Sequence, residues 1–563
     1  MPIQKRWCLF HHHQDTTAKL SQQLDLNPVI AQVLLNRKLT SLTQVKDFLG
    51  HSSPADSTWD SACLSESWVL VRHAIQSKTR ILIYGDYDVD GMTSTAMMVA
   101  CLRTLGADVS YYIPDRFKEG YGLNMNCVTL MKDQNIGLLI TLDCGVTSMA
   151  EITAIKAQTK AQIIVMDHHT LPDQLPPFDI MVNPQQLPKT HYLSGLCTAG
   201  IIYYWVKYGK EFGYLSIDLP WFLCLAAVGT VADVASLTGG NRRLVRDGLN
   251  ELSAGNHLGI QTLLRVSGFK KPVINSRDIG FVIAPRLNAS GRLSSAKIGV
   301  QLLLASSQSQ AIQIATQLEK LNVDRRAIDQ DMFQEAQDIA TQINDPILVL
   351  YNPQWHPGVI GITASKLVDR FSKPAVLMTL ENNSIRGSAR SAGTVNIYHV
   401  LKECQSFFDS FGGHSAAAGF SLKEDQYAAF KTHLVAVASK MITPEQLQPV
   451  LSIDAQLGHN DITLQLATDL DILDPVGQDN NQPIFYSTEL CPIDFRTVGN
   501  GQHLKVTFRS PCGKKTFEGI GFGMSDTFLP LVQKNAPVSV AYHLTINDWN
   551  NKKTVQLQLL DMQ

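Results

Sequence analysis

The sequence of 563 residues has no Cys-x-x-Cys pair, although ten cysteines are scattered from Cys8 to Cys512. That spacing excludes a zinc ribbon or a redox dithiol. Free, mostly buried thiols fit a reducing compartment. There is no excess of positive charge either: 48 basic residues face 50 acidic ones, for a net charge of -2. No global basic field attracts a polyanion, so any nucleic-acid site must be a local patch. No basic segment followed by an apolar run opens the chain, which argues against a secretory leader. The longest apolar run, Trp221 to Val231, is too short to span a bilayer, and Asp233 comes just after it. A cytoplasmic protein without membrane contact is expected. His11-His12-His13 reads as an exposed turn near the terminus rather than a metal tract.

What is present is a folded protein, with 45% hydrophobic and 17% charged residues. At roughly 100–200 residues per domain, the length predicts three or four domains. The most informative stretch is Ile81 to Gly91, ILIYGDYDVDG. Ile81–Tyr84 reads as a buried strand. Asp86, Asp88 and Asp90 then come at every second position, which in extended chain turns all three to one side. Carboxylates so close repel, and a divalent cation removes the conflict. An Asp-rich turn at a strand end is the alternative reading.

Residues 1 to about 60 look helical and peripheral, with a capping-box pattern at Ser41-x-x-Gln44. From residue 70 strands and helices alternate. Strands are predicted at Ile81–Tyr84, Val109–Ile113, Leu138–Leu142 and Ile163–Met166. Helices are predicted at Ser94–Leu105, Cys127–Gln134 and Thr147–Lys160. The alternation implies a parallel sheet. Its carboxyl edge would then gather Asp86, Asp88 and Asp90, Asp143 after the third strand, and Asp167-His168-His169 after the fourth. Open α/β sheets bind ligands at that edge. Asp233 ends the helical run Trp221–Ala232, where the helix dipole disfavours a carboxylate. Either it is held there for a purpose or it is a solvated helix end. Aspartates with histidine, and no cysteine set, suit manganese or magnesium more than structural zinc. Two such ions bridged by a carboxylate are a device for in-line attack on phosphorus. Cys144, beside Asp143, reads as packing.

These motifs, GDYDVDG, TLDCG, MDHH and GTVADV, resemble the four N-terminal motifs of the DHH phosphoesterase superfamily. Asn241–Leu249 (NRRLVRDGL) and Ala284–Leu293 (APRLNASGRL) narrow the likeness to the RecJ family of single-stranded-DNA exonucleases. So do Trp355–Gly361 (WHPGVIG), Gly387–Ser391 (GSARS) and Phe411–Gly419 (FGGHSAAAG). The resemblance covers roughly residues 70 to 420. It implies two α/β domains, of DHH and DHHA1 type, joined by a long helix, with a C-terminal β-barrel of OB-fold type. The expected boundaries are an N-terminal helical segment over 1–69, a metal-binding domain over 70–300 and a connecting helix over 301–345. A substrate-binding domain over 346–445 and a nucleic-acid-binding domain over 446–563 complete the chain.

In the second domain, strands are predicted at Ile347–Tyr351, Ala375–Leu380 and Ser384–Ser388, with a helix at Val359–Phe371. A serine hydroxyl, a free backbone N–H at Ala389 and a guanidinium, as Ser388 and Arg390 supply, suit a phosphate monoester. Gly412-Gly413 lets backbone approach a phosphate closely, or serves a turn. The resemblance assigns a 5′-phosphate pocket to Arg116, Arg286, Ser388 and Arg390. It adds Asn288, His356, Gly412, Gly413 and His414 to the substrate-binding set. From about 448 the chain reads as all-β, with strands expected at 451–454, 488–493, 504–509, 515–521, 537–546 and 554–560. A basic patch of Arg496, Lys505, Arg509, Lys514, Lys515, Lys552 and Lys553 is interleaved with Phe508, Phe517, Phe522 and Trp549. The loop Asp474–Asn480 departs from the Phe-Gly-x-Gly-Asn form of the family.

The resemblance implies a processive 5′→3′ exonuclease that releases mononucleotides from single-stranded DNA, in DNA repair and recombination, through a channel too narrow for duplex. Asp88, Asp90, Asp143, His168 and Asp233 would hold two Mn2+ or Mg2+ ions, with Asp143 bridging. Asp86 would be a ligand or a partner of the ligands. His169 would face the scissile phosphate. The partner is single-stranded DNA with a 5′ end. A helicase and a single-strand-binding protein are further partners to test, and a monomer is expected. Two rivals stay open: a DHH phosphodiesterase on short oligoribonucleotides or cyclic dinucleotides, and a non-catalytic replication scaffold.

Overall fold

The computed structural model describes residues 5–50, 59, 62–549 and 552–563, without the side chain of Trp549. The chain divides into two compact units. One is Thr43–Arg325 with Leu473–Asn481, and the other is Met1–Leu42, Arg326–Ile472 and Gln482–Gln563.

The first residues are not all helical. Strand β1 (Arg6–Leu9) pairs in parallel with Val450–Ile453 before helices α1 (Gln14–Leu24), α2 (Pro28–Asn36) and α3 (Leu42–Leu49). Nor is this segment peripheral: Ile30, Val33 and Leu34 of α2 are fully buried. Asn27 caps α2 by accepting from Val29 N–H, with Pro28 in the first turn, where its missing N–H costs nothing.

After α4 (Ala62–Gln76) comes the expected alternation: β2 (Arg80–Gly85), α5 (Val89–Thr104), β3 (Val109–Tyr112), α6 (Asn126–Asp133), β4 (Ile136–Leu142), α7 (Met149–Gln158) and β5 (Gln162–Met166). A short β6 (Ile180–Val182), unmarked by periodicity, completes a sheet of order β3-β2-β4-β5-β6, parallel throughout. Its carboxyl ends therefore lie along one edge.

Helix α5 begins at Val89, five residues ahead of the predicted Ser94, because Asp88 caps it by accepting from Gly91 N–H at 3.0 Å. Asp90 consequently lies in the first helical turn. The extended-chain alternation expected for the three aspartates is corrected: a tight strand-to-helix turn brings them together. Gly91 makes that turn feasible, since a Cβ there would lie 2.5 Å from the Asp86 carbonyl oxygen. The turns of α5 from Val89 to Val99 are buried on every side, Asp90, Thr93, Ser94 and Thr95 included, and the helix packs on α8 (Thr198–Glu211) and α9 (Pro220–Ala232). Gly229 of α9 permits that contact. A Cβ there would meet Ala199 Cβ at 2.4 Å, Thr93 Oγ1 at 2.6 Å and Asp90 Oδ1 at 3.0 Å.

Helices α10 (Gly239–Ser253), α11 (Leu258–Val266), α12 (Ser276–Asp278), α13 (Ala284–Leu293) and α14 (Lys297–Leu303) come next, with a π-helix at Ile279–Ile283. The segment Leu473–Asn481 belongs to this unit rather than with the strands around it. Buried Arg242 of α10 donates to the carbonyls of Leu473, Pro475 and Asp474, and buried Asn480 donates to those of Leu473 and Pro475.

His257 caps α11 with its Nδ1, which accepts from Ile260 N–H, while its ring stacks on Trp221 at 5.1 Å. Burial lowers its pKa to about 4 from the ordinary 6.5. The stabilisation is complete above pH 6.5, where both states are neutral. It is lost as the pH falls toward 4, because only the unfolded chain then takes up the proton. We expect a loss of about 2 kcal/mol between pH 7 and pH 5 from this group. In His257→Asn, which keeps a capping side chain without a titrating ring, the urea midpoint of this unit should vary less over that range.

The long helix α15 (Gln308–Ala340) comes after these, and the division between units falls within it. The other unit continues with β7 (Leu348–Tyr351), α16 (Ile360–Phe371), β8 (Ala375–Glu381), β9 (Ser384–Arg390), α17 (Ile397–Lys402), β10 (Ser410–His414), β11 (Ala417–Lys423), α18 (Tyr427–Met441) and α19 (Pro444–Leu447). Its sheet, of order β10-β11-β9-β8-β7, is mixed: β7 and β8 are parallel and the rest antiparallel. Strand β12 (Val450–Ile453) is the partner of β1 and lies outside the C-terminal sheet that the sequence placed it in.

That sheet comprises β13 (Ala455–Gln456), β14 (Phe485–Val498), β15 (His503–Arg509), β16 (Thr516–Gly521), β17 (Val538–Trp549) and β18 (Lys552–Met562), with α20 (Leu464–Asp469) and α21 (Ser525–Val532) beside it. Its order is β13-β14-β15-β16-β18-β17, with β14 also paired to β17. Phe508 and Phe517 are core residues, whereas Phe522 is exposed. Among the described residues no helix is long and apolar enough to cross a membrane.

Candidate metal centre

The carboxyl edge of the parallel sheet places Asp86 and Asp88 after β2, Asp143 after β4 and the 167–169 triplet after β5. Asp233 is the C-cap residue of α9. His168 Nε2 lies 3.3 Å from Asp143 Oδ1, 3.8 Å from Asp233 Oδ2 and 3.9 Å from Asp90 Oδ2. Three groups of donor atoms, each within 4.8 Å, are assembled: Asp86, Asp88 and Asp143; Asp143, His168 and His169; and Asp90, Cys197 and Asp233. Asp143 belongs to two of them.

Asp143 is held in the left-handed region, φ 64°, a conformation that aspartate tolerates. Its carboxylate accepts from the Thr198 hydroxyl at 3.1 Å. Asp90 sits on the N-terminus of α8, accepting from the amides of Thr198 (2.8 Å) and Ala199 (2.7 Å), where helix partial charge favours an anion. Asp88 is relieved in the same way at the N-terminus of α5, yet burial still raises the Asp90 carboxyl, with His168 opposing it. Burial, then neighbouring Asp90 and Asp88, pushes the Asp143 carboxyl well above the usual range. Burial and Asp88 raise Asp86, and burial with Asp90 and Asp88 pushes Asp233 up to about 8. Burial lowers His168. Asp86 Oδ1 and His168 Nε2 are buried without a hydrogen-bond partner. Crowded carboxylates, a neutral imidazole and orphaned acceptors are the donor set of a hard divalent cation.

His169 is arranged differently. Asp167 Oδ1 bonds its Nδ1 at 2.6 Å and also accepts its amide at 3.1 Å. Burial disfavours the charged ring, but Asp167 outweighs it and raises His169 to about 9. The same bond, against the effect of burial, keeps Asp167 below the usual range. The sequence marked Asp167 only as part of the triplet. Thr198 and Cys197, which also touch this centre, carried no sequence signal, since their neighbours are remote in the chain; Tyr121 lies in Pro114–Gly122, which reads as a loop over the carboxyl edge without marking the tyrosine. Cys144 is buried with its thiol pushed well up, in keeping with packing.

Val234, directly after Asp233, has φ 58°, strained for a β-branched residue, and is 64% exposed. It occupies the position where glycine usually ends a helix, as the bond from Ala235 N–H to Thr230 O shows. Val234→Gly should raise stability by about 1 kcal/mol, seen as a higher thermal midpoint, because strain is relieved and little burial is lost.

The expected substrate residues fall in both units. In the first, Arg116 stacks over the Tyr87 ring at 4.9 Å. Arg286 is buried and gripped by Glu319 through Nε and Nη2, with Nη1 donating to the Val282 carbonyl at 2.8 Å. Asn288 is half-buried on α13. In the second, Ser388 and Arg390 share a face of β9, and Arg390 Nη1 donates to Ser388 Oγ at 3.0 Å. The free amide expected at Ala389 is corrected: β9 is paired on both sides, which draws its amides into ladders. Gly361, in the first turn of α16, closes over this pair, since a Cβ there would meet Arg390 Nη2 at 2.8 Å and Ser388 Oγ at 3.0 Å. His356 is half-buried, its Nδ1 accepting from Gly358 N–H. Gly412, Gly413 and His414 lie in edge strand β10, exposed, rather than in a turn.

Known proteins share this domain order. The model of the DHH family N-terminal domain matches residues 80–230, the DHHA1 domain 344–440 and the RecJ OB domain 453–561. The single-stranded-DNA-specific exonuclease RecJ of Bacillus subtilis is 34% identical over 564 residues, covering 99% of this chain and 70% of the relative. That of Escherichia coli is 31% identical, covering 96% of each. Among solved structures, RecJ from Thermus thermophilus in complex with Mn2+ is 28% identical, with a TM-score of 0.85 over 99% of this chain and 79% of that one. An exonuclease RecJ bound to manganese is 32% identical, with a TM-score of 0.61 over 70% of this chain and 98% of that one. With the domain order matched and the identity sustained along the whole length, the chain belongs to the RecJ family of DHH proteins.

Proposed function

We propose that this chain is a single-stranded-DNA exonuclease that acts from the 5′ end, releasing mononucleotides by hydrolysis at two divalent ions, Mn2+ or Mg2+. The observation that carries the reading is the sharing of Asp143 between two groups of donor atoms. Asp88, Asp90, Asp143, His168 and Asp233 would hold the ions, with Asp86, whose Oδ1 has no partner, as a further donor. Two ions held there would supply an activated water and would neutralise charge on the phosphate. The water oxygen joins phosphorus, and the bond to the 3′ oxygen of the terminal nucleotide breaks. The shortened strand keeps a new 5′-phosphate. His169, held from behind by Asp167, donates through Nε2 to a phosphate oxygen as charge accumulates.

In the first unit Arg116, Arg286 and Asn288 would bind substrate; in the second Ser388 and Arg390 would take a phosphate, with His356, Gly412, Gly413 and His414 as further substrate contacts. The domains would run 70–300, 301–345, 346–445 and 446–563, less the segment 473–481. The C-terminal sheet reads as a closed OB-type barrel, supported by the pairing of β14 with both β15 and β17. A role in DNA repair and recombination fits the reading. The test is digestion of one single strand labelled at either end, with Mn2+. The 5′ label should appear at once as a mononucleotide, while the 3′ label stays in shortening strands. Early release of the 3′ label overturns the polarity.

A further inference from the structure

Tyr121 lies in the segment Pro114–Gly122, between two glycines of left-handed conformation, Gly120 (φ 80°) and Gly122 (φ 81°). Glu119 fastens this segment. Its carboxylate accepts from the Tyr112 hydroxyl at 2.9 Å, Asp115 N–H at 2.7 Å and Asn124 Nδ2 at 3.3 Å. Tyr121 is 51% exposed, so burial does not account for its placement. Its hydroxyl reaches two parts of the centre, the backbone carbonyl of Asp143 at 3.1 Å and the ring of His169.

The hydroxyl stands 3.1 Å from His169 Nε2 and 3.3 Å from Nδ1. A partner on the in-plane axis of one ring nitrogen lies far from the other. Near-equal distances therefore put the oxygen out of the ring plane, off both axes. Nδ1 keeps Asp167 at 2.6 Å, and among the described residues Nε2 has no hydrogen-bonding neighbour besides the Tyr121 hydroxyl. The hydroxyl donates to the Asp143 carbonyl, so the oxygen presents its lone pairs to the imidazole. The tyrosine ring meets His169 edge-on at 5.7 Å and Tyr87 edge-on at 6.4 Å.

We propose that Tyr121 is a positioning residue for His169: its hydroxyl, anchored on the Asp143 carbonyl, fixes the imidazole from the side so that Nε2 faces the phosphate. This rests on the reading of His169 as the group that meets the scissile phosphate. Asp167 alone holds the ring at one atom and leaves it free to swing about that bond. A second contact removes the freedom, and near-attack geometry depends on it.

The test is Tyr121→Phe, which deletes only the hydroxyl, with His169→Ala and the double variant, in steady-state cleavage of a 5′-phosphorylated strand with substrate in excess. Tyr121→Phe should lower kcat about 10-fold with KM within about two-fold, since only an interaction felt in the transition state is weakened. In the His169→Ala background it should cost less than about two-fold, because residues acting as a unit are not additive. Mn2+ affinity by calorimetry should stay within about two-fold of the parent. An equal fold-loss in both backgrounds, or a wild-type rate for Tyr121→Phe while His169→Ala is impaired, overturns the proposal alone. So does a fall in Mn2+ affinity matching the fall in kcat, which would place the effect on Asp143. A wild-type rate for His169→Ala overturns the reading of the centre itself, and the proposal with it.

Discussion

Asp143→Ala should abolish cleavage of single-stranded DNA, with a loss of about 10⁴-fold or more in kcat at saturating Mn2+, because it would undo both ion sites at once. The expectation comes from the geometry of one side chain. Asp143 is the member common to the Asp86–Asp88 group and the His168–His169 group, and its Oδ1 is the carboxylate atom nearest to His168 Nε2. Loss of an outlying ligand, such as Asp233, would weaken one site and be offset in part by more metal. Loss of the shared ligand would not be. Two measurements check this. Calorimetry with Mn2+ should show about two ions bound to the parent and markedly weaker binding to the variant. Raising Mn2+ should restore Asp233→Ala further than Asp143→Ala. The variant should still fold, since removal of a buried carboxylate crowded by like charges offsets the strain of alanine at φ 64° and the loss of the bond from Thr198. Wild-type activity in Asp143→Ala would rule out the centre.

Much of this arrangement was legible in the sequence, for a definite reason. Each strand of a parallel sheet is a short apolar run, and the residues at its C-terminal end must all emerge at the same edge. The acidic clusters after Tyr84, Leu142 and Met166 therefore had to meet once the alternation was recognised. The misleading signals were local. The run Asp86–Asp90 reads as extended chain because alternation is the same pattern in a strand or a turn. Only the bond between Asp88 and Gly91 N–H reveals that the helix has already begun. Contacts of high sequence separation were silent. The resemblance placed Arg286 of α13 in the phosphate pocket, and nothing local in the sequence showed that Glu319, 33 residues away on α15, pairs with it. The loop Asp474–Asn480 stood out only as a departure from the family's form, whereas the side chain of Arg242, more than 230 residues earlier, holds the carbonyls of Leu473, Asp474 and Pro475. Tyr121 offered a pattern of glycines and nothing to indicate that its hydroxyl would reach His169.

His169→Ala should lower kcat by about 10²–10³-fold, the cost of one donor aimed at developing charge, and leave Mn2+ affinity within about three-fold. His168→Ala should lower both. Two adjacent imidazoles thus separate by their surroundings. His168 Nε2 faces three carboxylates at 3.3 to 3.9 Å, and burial lowers its pKa, leaving a neutral nitrogen suited to a cation. His169 has Asp167 at its back and is raised to about 9, leaving a proton suited to an anion. Asp167→Asn should then resemble His169→Ala in kcat, because an amide can present a donor to Nδ1 and favour the wrong tautomer. If His169→Ala instead loses Mn2+ binding in step with activity, His169 is a ligand. The group of Asp143, His168 and His169 would then be one ion site in full, and the donor to the phosphate would have to be sought among the arginines.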